Sequence, residues 1–115
     1  MINPSHSQPS FLYVVRCTFE PGTADVAQRW LSWLRDIHLS EVLAAGAISA
    51  DVIQISNDRE RYEVHYRFAS EEDFLRYERD HAPSLRADGL SRFPLSLGLA
   101  YERSVGTILF SSGCE

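Results

Sequence analysis

Three side chains able to move protons or hold charge sit around one proline in YERDHAPSLRADG, residues 77–89. Tyr77 and His81 are four apart, so they share a helix face if the helix runs that far. Pro83 has no N–H and disfavours helical geometry at Ala82. The spacing predicts one helix ending near His81 and another with Pro83 in its first turn. His81 then stands near the free N–H groups of the second helix, which disfavour its positive form. A neutral imidazole acts as a base near pH 7, and a tyrosine hydroxyl donates to a developing oxyanion. His81 and Tyr77 are thus candidate catalytic residues, facing a pocket between helices and sheet. Arg86 offers a planar fork to a ligand carboxylate. A structural reading fits the same residues. His81 caps or bridges the kink, Tyr77 is a half-buried aromatic, and Arg86 pairs with Asp80 or Glu78.

His38 is the second candidate. It lies about 40° beyond Leu34 on a regular helix, at the edge of a stripe holding Trp30 and Trp33. Such a border can line a pocket, which makes His38, Trp30 and Trp33 candidate ligand-binding residues; aromatics at helical spacing also serve simply as core. His38 and Glu41 have the spacing of a metal pair, but there is no cysteine partner and no zinc spacing, so no metal is expected. His65 lies among Arg61, Glu63 and Arg67 on one strand face, as in a charged ladder between subunits. The chain has no glycine-rich phosphate loop and no GxSxG elbow. All 11 basic residues are arginine, and the absence of lysine excludes Schiff-base and P-loop chemistry.

These residues need elements to hold them. FLYVVRCTFE alternates, with Phe11, Tyr13, Val15, Cys17 and Phe19 on one face, and reads as a strand. Val26, Trp30, Trp33, Leu34 and Ile37 recur at helical spacing, with Asp25 or Thr23 able to cap the start. Ser40 is placed to cap a further short turn that Gly46 closes. AISADVIQIS is a second strand whose apolar phase slips at Val52 and Ile53, predicting a bulge or two buried faces. RYEVHYRFA alternates most clearly of all. Ser70 caps a helix with three acids in its first turn. A helix after Pro83 stops at Pro94, and LGLAYERSVGTILF is a last strand. The order β-α-β-β-α-β predicts an α+β fold, a ferredoxin-like plait of four antiparallel strands with the helices on one face. The uncovered face predicts a homodimer, two chains sheet to sheet.

The chain has 115 residues, 44% of them hydrophobic, with a formal net charge of −5. That bounds it to one domain able to fold unaided. Residues 1–10 read as a loose tail, 11–110 as the domain and 111–115 as a second tail. The acidic balance disfavours nucleic acid and anionic membranes as partners. No apolar run reaches membrane-spanning length, and MINPSHSQPS is not a signal peptide. Cys17 and Cys114, without CxxC spacing, point to reduced thiols and a cytoplasmic location.

The residues Trp33, His38, Leu43, Gly46, Tyr77, Ala82, Pro83, Leu85, Arg86, Arg92 and Phe93, across residues 11–110, resemble a bacterial family of unknown function in the dimeric α/β-barrel superfamily. The resemblance implies a ferredoxin-like subunit and a dimer. More distantly, a tyrosine followed by a histidine beside a proline is similar to stress-responsive barrel proteins and small polyketide cyclases, in which the pair sits at an acid–base site. Two functions remain open. One is a cofactor-independent enzyme performing proton transfer, cyclisation or oxygenation on a small aromatic or β-keto compound. The other is a dimeric binding or interaction module without chemistry.

Overall fold

The structure, a computed structural model, describes residues 9–58 and 60–113. Most of the expected tail at 1–10, together with Cys114, lies outside them. The alternation FLYVVRCTF forms strand β1, Phe11–Phe19, whose odd-numbered residues turn toward the helices. Helix α1, Ala24–Trp33, continues through a π-helical turn, Leu34–His38, into α2, Leu39–Ala44. Gly46, at φ +133°, ends this run in a backbone conformation that side chains avoid. Strands β2, Ser49–Gln54, and β3, Arg61–Phe68, follow. Helix α3, Glu71–Asp80, is capped by Ser70, whose Oγ accepts from the Asp73 N–H at 3.2 Å. Helix α4, Ala82–Arg92, has Pro83 in its first turn and stops before Pro94. A 3-10 turn at Leu95–Leu97 leads into β4, Leu99–Thr107.

The strands lie in the order β2-β3-β1-β4, and every neighbouring pair is antiparallel. The helices cover one face, giving the expected α+β, ferredoxin-like plait. The core between them holds Trp30 and Trp33, 1% and 8% exposed, against Phe19, Tyr62, Val64, Tyr66 and Phe68. Burial of such aromatics is the main driving force of a domain this size.

Two local expectations are corrected. Strand β2 has neither a bulge nor two buried faces, for its register with β3 runs unbroken from Ser49 opposite Arg67 to Gln54 opposite Tyr62. It is an edge strand, and Val52 and Ile53 remain 38% and 37% exposed in the single chain. Ser40 is not a cap either. It sits inside α2, and its hydroxyl donates to the Ile37 carbonyl at 2.9 Å, because the π-helical turn joins α1 and α2 without a break.

Candidate functional site

A cleft lies between α1, its π-helical turn, α3, α4 and the sheet. From the helical side it is lined by Trp30, Trp33, His38, Tyr77, Arg86 and Gly89; the sheet contributes Tyr13, Tyr66, Tyr101 and Arg103. Its volume is about 60 Å³, and the cavity opens to solvent. A cavity of that size holds only a few water-sized groups, so a ring-sized ligand would lie partly outside it.

The π-helical turn decides where His38 goes. On a regular helix Trp33 and His38, five residues apart, would diverge by about 140°. The wider turn instead stacks their rings, with centroids 4.4 Å apart and planes at 23°. The Leu39 N–H reaches back five residues to the Leu34 carbonyl, which is the bond defining such a turn. Burial pushes the His38 imidazole down to about 4, with the Asp88 charge opposing, so the ring is neutral at pH 7. Its Nδ1 lies 3.7 Å from Glu41 Oε1, beyond hydrogen-bond range.

The other walls are tied together by hydrogen bonds. Arg86 Nη2 donates to Tyr13 Oη at 2.9 Å and also pairs with Glu78. Trp30 Nε1 donates to Tyr101 Oη at 3.0 Å. Tyr77, 3% exposed, packs on Tyr13, Phe68 and Phe74. Burial raises its phenol pKa, so it stays a hydrogen-bond donor at neutral pH. Gly89 makes room for Trp33, for a Cβ there would lie 3.2 Å from Trp33 Cη2.

Among the described residues, four buried side-chain nitrogens lack a hydrogen-bond partner, and three belong to residues that line this cleft: Trp33 Nε1, His38 Nδ1 and Arg86 Nε. Buried polar atoms are nearly always satisfied, so three unpartnered nitrogens on the lining of one cavity set this cleft apart from the rest of the core.

The expected site residues therefore divide. Tyr77, His38, Arg86, Trp30 and Trp33 come together around the cleft. His81 does not, and the expectation that it faces this pocket is corrected. It is exposed and absent from the lining. The four-residue rule fails there because residue 81 has already left the helix, at φ −126° and ψ −38°. Its carbonyl accepts from the Leu85 N–H and the Ser84 hydroxyl, so its backbone starts α4. Arg86 has the carboxylate partner foreseen as Glu78. Tyr13, Tyr101 and Arg103 escaped notice. Alternation along their strands places each on a face, but only pairing across the sheet shows which face is the cleft's.

The family model "Domain of unknown function (DUF4286)" matches residues 11–98. The chain belongs to this family. No curated protein matches it by sequence. Among solved structures, the DUF4286 chain is similar to a dimeric ferredoxin-like protein from an uncultured marine organism. That match has TM-score 0.65 and 13% identity, and covers 91% of this chain and 100% of that one. It is also similar to a putative antibiotic biosynthesis monooxygenase from Nitrosomonas europaea, at TM-score 0.63 and 16% identity, covering 92% and 96%. A mutant of SnoaB, a cofactor-independent oxygenase from Streptomyces nogalater, aligns at TM-score 0.63 and 13% identity, covering 90% and 96%. At such identities these likenesses carry the fold alone.

Proposed function

We propose that the cleft binds a small planar compound with an acidic oxygen, a phenol or a β-dicarbonyl, and takes a proton from it. The observation that carries this is the set of three unpartnered nitrogens on residues lining the cleft, which a ligand's oxygens would satisfy once these side chains turn to meet it. His38 is the proton acceptor in this reading. It is neutral at pH 7, and the growing negative charge of the substrate beside it would raise its basicity as the proton moves. Tyr77 donates to the oxyanion, Arg86 orients the ligand, and the two tryptophans form the apolar walls. Loss of a proton to give an anion is the step shared by proton transfer, cyclisation and oxygenation. The fold likeness to a cofactor-independent oxygenase supports the oxygenation branch. The low pKa of His38 also favours a second reading, in which the imidazole is only a stacked wall and the protein a binding module.

The test is solvent deuterium exchange into a panel of hydroquinones and 1,3-diketones, followed by NMR with the full chain. Exchange should be accelerated, and His38→Gln should remove roughly 10²–10⁴-fold of that acceleration while binding persists. Binding with no acceleration favours the module; no binding at all overturns both.

The same proposal includes a homodimer. The uncovered face of the sheet presents Leu12, Val14 and Ile53 beside Arg16, which bonds Glu63 at 2.8 Å and Glu102 at 3.2 Å. His65 completes the network, 2.9 Å from Glu63. A mixed face of this kind suits a second copy of the chain better than water alone.

A further inference from the structure

Arg103 stands at the mouth of the cleft, on the helix-facing side of β4 opposite Val15. It is exposed and, among the described residues, has no carboxylate partner. Seven other arginines do: Arg16, Arg35, Arg61, Arg76, Arg79, Arg86 and Arg92. Its guanidinium lies over the Tyr101 ring, 5.2 Å from the centroid. That contact uses none of its N–H donors, which remain for a ligand. The platform is itself held, since Trp30 Nε1 bonds the Tyr101 hydroxyl. No aspartate or glutamate lines the cleft among the described residues, although the chain as a whole carries −5. The charge of Arg103 reaches inward. Burial is the dominant push on the phenols of Tyr66, Tyr77 and Tyr101, raising all three pKa values, and Arg103 opposes it at each.

We propose that the ligand of this cleft is an anion, a planar aromatic carboxylate, whose carboxylate pairs with Arg103 at the opening while an edge of its ring lies against the aromatic lining. The inference rests on the cleft being a ligand site as read above, and adds the charge and orientation of what it takes. The cavity dictates the direction. The cavity holds only a few water-sized groups, so much of a ring-sized ligand lies at its opening, where exposed Arg103 is the one cleft cation that no acid neutralises among the described residues.

The experiment compares 2-naphthoate with neutral 2-naphthamide on the full chain, by titration calorimetry and saturation-transfer NMR. The acid is expected to bind more tightly than the amide. Arg103→Gln should weaken the acid roughly 3–30-fold and leave the amide unchanged. Arg29→Gln, an exposed position outside the cleft, should change neither. Arg103→Lys, which keeps the charge, should recover part of the loss if the effect is electrostatic and not a loss of folding. Equal binding of acid and amide, or an acid affinity unmoved by Arg103→Gln, overturns the anion preference and leaves the cleft as a site. If neither compound binds, this inference fails; the reading of the cleft fails with it only if the hydroquinone and diketone panel also shows no binding.

Discussion

Burial holds the His38 imidazole near 4, against an ordinary value of 6.5, and the nearby Asp88 pulls the other way. Between those values the unfolded chain takes up a proton that the folded chain refuses. Stability is therefore fully present above pH 6.5 and falls as the pH drops toward 4, by up to about 3 kcal/mol from this group. Urea midpoints across that window should show a smaller fall in His38→Gln than in the parent; equal falls would mean that His38 is not buried as described. A second prediction concerns the aromatic wall. Trp30→Ala should cost about 3–5 kcal/mol, because the side chain is 1% exposed. Tyr101→Phe should cost about 1–3 kcal/mol by stranding the Trp30 N–H, as read by chemical denaturation. His81→Gln, at an exposed junction, should stay within about 0.5 kcal/mol of the parent and leave ligand binding intact.

The π-helical turn is the element that builds the site. It stacks Trp33 and His38, and a hydrogen-bonding pattern one residue wider than the α-helix is what allows this. Deleting exposed Asp36 should return the segment to a continuous α-helix while α1 and α2 keep their faces. The expected outcome is a folded protein with unchanged far-ultraviolet circular dichroism, a lost Trp33–His38 stack and no ligand binding. Retention of binding would show that the turn is incidental. The site elements were unequally visible beforehand. Pro83 and Ser70 act through backbone chemistry within a few residues, so the break between α3 and α4 and the start of α3 were legible. The π-helical turn carries no such local mark, since Leu34–His38 contains no glycine or proline to announce it.

At the scale of the whole molecule, the sheet leaves one face uncovered by its own helices, and β2 leaves apolar side chains at its edge. Light scattering at micromolar concentration should give twice the chain mass. Val14→Arg, opposite His65 and Ser104 on the uncovered face, should shift it toward monomer. A monomer in the parent would remove the dimer and leave the cleft as it is, because every residue of the cleft described above comes from one chain.

By itself the sequence determined the order of elements, the four-stranded plait, the burial of both tryptophans and the break at Pro83. Each follows from periodicity or backbone stereochemistry acting over a few residues. It brought Tyr77, His38 and Arg86 forward by residue type and spacing. Tertiary structure alone decided that His38 and not His81 joins Tyr77. A one-residue change in helical register and a helix ending one residue early rotate those side chains by large angles. It also decided that Tyr13, Tyr101 and Arg103 share the cleft, because strand pairing between residues as far apart as Val15 and Arg103 depends on the packing of the whole sheet, which no local pattern encodes.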